Sequence, residues 1–166
     1  MSTTTTTKRA AAALIAVAAG LALAGCSLLG DVFGPQIGTE TDDGVITDVF
    51  QIKVGDCLND ASLSDGEITT VPTVPCSEPH DSEAYHAFNM PDGAFPGNEA
   101  IDQAALEGCD PAYADFVGIA TAESQYDWAY YFPTQASWGE GDREILCIAY
   151  DPSGAQMTGS LENTRS

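Results

Sequence analysis

The sequence predicts an α+β fold: a small antiparallel sheet with two short helices inserted between its strands, held by two disulfides. Three observations predict it. Short segments rich in Thr, Val and aromatic residues alternate with Gly, Pro and Asp turns. One segment between them repeats apolar residues at helical spacing. Four of the five cysteines are spread over the last two thirds of the 166-residue chain. This part of the chain is long enough to form one modest hydrophobic core.

The first 25 residues have the charged-then-apolar layout of a secretory signal. Lys8 and Arg9 precede an uncharged run at residues 10–25. That run is shorter than the roughly 20 residues that a membrane-spanning helix needs, and no basic cluster follows it. Residues 1–25 are therefore predicted to be a signal peptide rather than a retained transmembrane helix.

The apolar run ends in Leu-Ala-Gly-Cys at residues 23–26, which resembles the bacterial lipobox. In that motif the cysteine receives a diacylglyceryl thioether and the chain is cleaved before it. Cys26 is therefore predicted to be lipidated, which would anchor the mature chain to the extracytoplasmic face of the cell membrane. The alternative is an ordinary signal peptide with an incidental cysteine. Residues 26–47 are predicted to be a flexible acidic tether, and residues 48–166 the domain itself.

The charge of the chain excludes nucleic acid as a partner. It has 25 acidic and five basic residues, and the signal peptide takes two of the basic ones. Phosphate binding depends on Lys and Arg, of which only Lys53, Arg143 and Arg165 remain. The same charge repels anionic headgroups, so the expected contact with the membrane is the lipid anchor.

The four remaining cysteines are even in number, as in exported proteins with disulfides. They are Cys57, Cys76, Cys109 and Cys147. Of the three pairings, the sequence favours Cys57 with Cys76 and Cys109 with Cys147, because each bridge then joins neighbours along the chain. A metal site is the alternative, but no two of these cysteines have the close spacing of zinc ligands.

Six short strands and two short helices are predicted. Asn98 can cap a helix whose apolar positions recur every four residues from Ile101 to Cys109. Pro111 is predicted to start a second helix that Gly118 ends. Pro72 would make its strand an edge strand or a bulged one. The predicted strands are 51–54, 68–74, 83–90, 128–132, 145–150 and 156–161. The strand at 145–150 is expected to be the central one because it is almost wholly apolar.

Several motifs are spaced as in one known family. They are Gly-Asp-Cys at 55–57, Cys-Ser-Glu-Pro-His-Asp-Ser-Glu at 76–83, Cys109, Trp-Gly at 138–139 and Cys147, and Thr-Gly-Ser-Leu at 158–161. This pattern resembles the septum formation domain family, whose members are exported or membrane-anchored proteins of high-GC Gram-positive bacteria. The resemblance implies a link to division-septum or envelope assembly and supports the disulfide pairing. It implies no reaction, ligand or catalytic residue.

No catalytic, metal or cofactor site is predicted. His80 and His86 would lie about 20 Å apart on an extended strand, too far to share an ion. His80 is expected to order the turn at Pro79 through a backbone hydrogen bond, although it stays a candidate binding residue. The acidic stretch 59–67 is expected to be a solvated loop.

Trp138 and Arg143 are the other candidate binding residues, because Trp and Arg are enriched at interface hot spots. The structural alternative, which we favour, packs Trp138 on the sheet and pairs Arg143 with a carboxylate. The function expected from the sequence is a non-enzymatic interaction module that contacts an envelope protein or a wall polymer. An envelope hydrolase and a small-ligand-binding lipoprotein are the alternatives.

Overall fold

The computed structural model describes residues 39–63 and 68–166. Short 3-10 turns lie at Val49–Gln51 and Thr121–Glu123. The strands and helices follow one another as β1 Glu40–Thr41, β2 Gly44–Asp48, β3 Cys57–Leu58, β4 Thr70–Val74, β5 Ser82–Asn89, α1 Asn98–Val117, β6 Asp127–Tyr131, α2 Gln135–Gly139 and β7 Glu144–Tyr150.

The seven strands form one sheet in the order β1-β2-β4-β3-β5-β7-β6. Every neighbouring pair is antiparallel. The α+β class is therefore confirmed, with strands predominating over helices. Residues 145–150, predicted to be the central strand, form most of β7, which is interior but lies next to the edge strand β6 rather than at the centre of the sheet.

The sheet begins earlier in the chain than the sequence indicates. Residues 40–47, assigned above to the flexible tether, form the β1–β2 hairpin, and Val45 pairs with Thr73 of β4. Gly44 has a φ of +130°, and a Cβ there would lie 2.5 Å from the Thr73 carbonyl oxygen. The tether and domain boundary at residue 47 is therefore wrong. The signal peptide, Cys26 and the earlier part of the tether lie outside the described residues.

Pro72 lies in an interior strand, not in an edge strand, because β4 pairs with both β2 and β3. The carbonyl of Pro72 accepts a hydrogen bond from the Asn59 amide, 2.9 Å away. The return bond of that pair would need an N–H that proline lacks. β3 has already ended at Leu58, so the ladder stops where proline would interrupt it.

Two predicted strands are not formed. Residue 51 ends a 3-10 turn and residues 52–54 follow it, because the Asp48 side chain accepts a hydrogen bond from the Phe50 amide and turns the chain. Residues 156–161 contribute an isolated bridge between Met157 and His80 rather than a strand. Each segment still buries an apolar side chain, at Ile52 and at Leu161.

The two helices predicted between residues 98 and 118 are one helix, α1, with Pro111 inside it. A proline inside a helix removes one hydrogen bond and crowds the carbonyl four residues earlier, which together cost about 3 kcal/mol or more. Pro111 and Glu107, whose carbonyl is left without that bond, are both exposed, so water can reach this side of the helix. The apolar spacing also continues through the proline, and the buried residues of α1 are Ile101, Ala105, Cys109, Tyr113 and Val117. The second helix of the structure is the five-residue α2.

The two faces of the sheet have different cores. On the covered face, α1 packs against residues of β5 and β7, including Tyr85, Ile145 and Cys147. On the open face, a smaller cluster contains Leu146 and Ile148 of β7. Successive residues of β7 thus point to opposite faces, and both are buried, which explains why this strand is almost continuously apolar.

Candidate binding site

The two disulfides join Cys57 to Cys76 and Cys109 to Cys147, which is the pairing that the sequence favours. The first connects β3 to the turn after β4, with the Cα atoms 5.2 Å apart. The second connects α1 to β7, with the Cα atoms 5.6 Å apart. The covered face is therefore cross-linked through its own core.

His80 is fully buried and makes a structural contact. Its Nδ1 lies 2.8 Å from the carbonyl oxygen of Glu78, which is the backbone hydrogen bond expected at this turn. Its backbone forms a two-way bridge with Met157, at 3.0 and 2.8 Å. His86 instead stacks on Phe88, with ring centroids 5.7 Å apart.

The remainder of the 76–83 motif binds the C-terminal segment to the sheet. Glu83 is only 2% exposed. Its carboxylate accepts hydrogen bonds from the Ser160 hydroxyl and the Leu161 amide, both at 2.7 Å. The Cys76 carbonyl accepts from the Gly159 amide. The most specific motif of the sequence therefore has a structural role.

One cluster of potential metal ligands occurs among the described residues, formed by Cys57, Cys76 and Glu83. Both sulfur atoms belong to a disulfide, so neither is a thiolate. Glu83 is already occupied by its two hydrogen bonds. This cluster is therefore not suited to hold a metal ion.

Trp138 and Arg143 pack against each other beside the loop that precedes α1. Trp138 is 5% exposed, and its Nε1 donates to the Gly93 carbonyl at 2.9 Å. The Arg143 guanidinium lies 3.9 Å from the centre of the indole ring. Its Nε is 3.3 Å from Oδ1 of Asp92. The expected burial of Trp138 and the expected carboxylate partner of Arg143 are both present, although Trp138 packs on Phe95 of the loop. His80 is not part of this cluster.

A groove lies on the open face of the sheet and has a cavity volume of about 450 Å³. Aromatic and aliphatic side chains form most of its walls, and three carboxylates lie among them. We call it the groove; it is lined by Val49, Phe50, Asp60, Leu63, Ile68, Thr69, Tyr130, Tyr131, Phe132, Thr134, Ser137, Asp142, Glu144 and Leu146.

Asp60 is the most deeply set of the three carboxylates. Its Oδ2 accepts hydrogen bonds from the Tyr131 and Ser82 hydroxyls, each at 2.8 Å. Burial raises the pKa of Asp60, and these hydrogen bonds oppose the rise. The expectation of a solvated loop is therefore wrong at this position.

Glu144 and Asp142 lie at the other end of the groove wall, where β7 begins. Partial burial and the neighbouring charge of Asp142 raise the pKa of Glu144. Asp142 accepts a hydrogen bond from Ser137, which also caps α2 together with Thr134. Neither described histidine lines the groove, so Ser137 has no histidine base there.

Sequence reasoning missed the groove because its residues come from several separate segments between Val49 and Leu146. Asp60 follows β3, Tyr131 ends β6, Ser137 lies in α2 and Leu146 in β7. The available signal was the aromatic run 128–132, which the sequence indicated only as a strand. Apolar walls with a few polar groups are the usual composition of a ligand-binding surface.

The fold and the groove define a small disulfide-bonded α+β domain with one covered and one open sheet face. The model of the septum formation family matches residues 43–165. Because this match covers more than half of the chain, the protein belongs to the septum formation family, as the resemblance of its motifs implied. The assignment suggests a role related to cell division or the cell envelope. No curated protein and no solved structure matches the chain.

Within the described residues, no helix has both the length and the apolar character needed to cross a membrane.

Proposed function

We propose that this protein is a lipid-anchored interaction module on the outer face of the cell membrane, which acts in septum or envelope assembly without catalysing a reaction. The observation that carries the proposal is the groove: it is open and largely apolar, and its serine has no histidine base. Surfaces of this composition bind partners. The family assignment supports the cellular process.

The groove leads to a crosslinking experiment in intact cells. A photoreactive residue would replace Phe50 or Phe132 in the full chain, since both line the groove and are 59% and 44% exposed. Leu106, which is 53% exposed on α1, is the matched control. We expect one envelope partner to be captured from both groove positions and not from Leu106. Identical adducts from all three positions, or none from the groove, would contradict the proposal.

The lipid anchor is supported by the sequence at residues 23–26. We expect Cys26→Ala to leave the precursor uncleaved and without lipid, as measured by intact mass and membrane fractionation. Ser27→Ala is the control, because the neighbouring residue receives no acyl chain in the lipobox mechanism. Recovery of a normally processed and membrane-retained Cys26→Ala protein would disprove the anchor.

An envelope hydrolase is the second candidate, favoured by one observation. Asp60 and Glu144 line the same groove, and both have raised pKa values, as acid catalysts of hydrolysis often do. If the protein cleaves wall polymer, Asp60→Asn and Glu144→Gln should each abolish product release from purified wall. If the protein is instead an interaction module, the wild-type chain, which has both carboxylates, should release no product from the wall.

A further inference from the structure

The outer edge of β6 is an unpaired strand edge. β6 is last in the sheet and pairs only with β7. The Trp128 amide donates to its neighbour Asp127 at 2.8 Å, so it points away from β7. Because backbone groups alternate along a strand, the N–H and C=O of Tyr130 point the same way. The described residues give Tyr130 no backbone partner on that side.

The opposite edge of the sheet differs from this one. β1 has only two residues, whereas β6 has five. Proteins commonly protect a long edge with lysine, proline or a bulge. Residues Asp127–Tyr131 contain neither lysine nor proline, and their pairing with β7 has no bulge. The β6 edge can therefore accept a further strand.

An aromatic row runs beside this edge, from Trp128 and Tyr130 on the α1 side to Phe132, which also lines the groove. The ring centroids of Trp128, Tyr130 and Phe132 are 6.1 and 5.6 Å apart in sequence order. The Trp128 indole donates to Asp110 at 3.3 Å, and the Tyr130 hydroxyl donates to Asp102 at 2.7 Å. These bonds fix two of the rings and place carboxylates next to them. Aromatic faces beside carboxylates attract cationic side chains.

The charge of the chain indicates which kind of strand would bind. The protein has a formal net charge of −20, so a second copy would bring like charge to the edge. Its own Arg143 is occupied by Trp138 and Asp92. A basic partner would meet carboxylates on both sides of β6. Asp102 and Asp110 lie on the α1 side, and the carboxylates of the groove lie on the open face.

We infer that the β6 edge binds an extended, basic polypeptide segment, which adds to the sheet as an eighth strand. Lysine or arginine side chains at alternate positions lie over the aromatic row, and the backbone of the added strand bonds to the C=O of Trp128 and to the N–H and C=O of Tyr130. The intervening side chains face the groove. This inference rests on the proposed function and names the chemistry of its partner. In strand addition of this kind, backbone hydrogen bonds give affinity and alternate side chains give specificity.

Synthetic peptides test the inference with the full chain purified in detergent. The probe alternates lysine and threonine over about ten residues, the length of a typical strand. One control replaces each lysine with glutamate, and another carries N-methyl groups on alternate amides. We expect only the lysine peptide to bind by calorimetry, more weakly at high salt, and to protect the Tyr130 amide from hydrogen exchange. Equal binding of the N-methylated peptide, or no binding of the lysine peptide, would overturn the inference.

Variants of the chain separate the charge from the backbone. Asp102→Asn keeps an acceptor for the Tyr130 hydroxyl but removes the charge, and Glu40→Gln makes the same change on β1 at the opposite edge. We expect Asp102→Asn to weaken binding about fivefold and Glu40→Gln to leave it unchanged. Tyr130→Pro removes the outward N–H, whereas Tyr130→Ala keeps it, so proline should weaken binding about fivefold more than alanine. Equal affinities for the two Tyr130 variants would count against strand addition, and the N-methylated peptide provides the same test if Tyr130→Pro does not fold.

The inference and the proposed function can fail separately. If groove crosslinks capture a partner in cells but the lysine peptide does not protect Tyr130, the interaction module stands and strand addition is wrong. If the peptide protects Tyr130 but no groove position captures an envelope partner, the edge is a binding site and the septal role is wrong.

Discussion

The two faces of the sheet are built from the same strands but are stabilised differently. The covered face is closed by α1 and cross-linked by the bridge between Cys109 and Cys147. The open face has a smaller apolar cluster, and the groove beside it contains two half-buried carboxylates and one exposed carboxylate. Stability is thus concentrated on one side of β7, which leaves the other side free to carry polar groups that a closed core could not hold.

The largest expected effect tests whether the groove wall depends on a buried support. Ser137 lines the groove, and the next residue, Trp138, packs behind it against Phe95. Trp138→Ala should lower the free energy of unfolding by about 3–5 kcal/mol, as measured by thermal unfolding. Phe50→Ala, which removes an exposed ring from the groove, should cost less than about 1 kcal/mol. An unchanged midpoint in Trp138→Ala, combined with lost partner capture, would move Trp138 into the binding site.

The second effect concerns the disulfides. Replacing both Cys109 and Cys147 with alanine should cost about 4 kcal/mol, because that bridge closes the longer loop, with a sequence separation of 38. The same change at Cys57 and Cys76, separated by 19, should cost about 3 kcal/mol. Urea unfolding of the two double variants gives the comparison. A larger loss of unfolding free energy on removal of the Cys57–Cys76 bridge would show that the covered face does not depend more strongly on its disulfide.

The third effect compares opposite sides of one helix. Ile101 is fully buried on the covered face, whereas Leu106, five residues later, is 53% exposed. Ile101→Ala should cost about 2–5 kcal/mol and Leu106→Ala about 0.5 kcal/mol or less. Chemical denaturation of both variants measures the difference. Similar losses would contradict the difference in burial between the two sides of α1.

The smallest effect concerns the groove carboxylate Asp60. Its folded pKa is raised by burial, so the folded state binds its proton more tightly than the unfolded state does. The stability that this proton contributes is complete below the ordinary pKa of aspartate and is lost as the pH rises through the folded pKa. Asp60→Asn should therefore equal the wild type near pH 3 and be slightly more stable than it near pH 7. Urea midpoints at the two pH values check this, and a variant less stable near pH 7 would contradict the sign.

Sequence reasoning was most successful where a chemical constraint acts over the whole chain. Cysteine parity indicated two disulfides, the preference for neighbours along the chain gave their pairing, and the apolar run 145–150 indicated the strand β7. It failed where the local rule for proline was overridden. Pro111 lies inside α1 because the buried positions continue to Val117, and Pro72 lies in an interior strand because its neighbour β3 is so short.

The candidate site was less predictable than the fold. Asp60 lies in an acidic stretch that has no periodicity, and only the fold brings it within 2.8 Å of Tyr131, 71 positions later in the chain. A hydrogen bond between such distant residues leaves no local pattern. The motif that was most visible in the sequence, residues 76–83, instead holds the chain together through His80 and Glu83.

That holding contact sets the order in which the protein can be completed during synthesis. Met157 and Leu161 belong to the core of the covered face, and their partners His80 and Glu83 lie near the middle of the chain. A growing chain that has reached β7 has all of its strands, but the buried residues His80 and Glu83 still lack these neighbours. Cooperative closure of the domain therefore requires residues 157–161, and a chain without them leaves the Glu83 carboxylate without two hydrogen-bond donors.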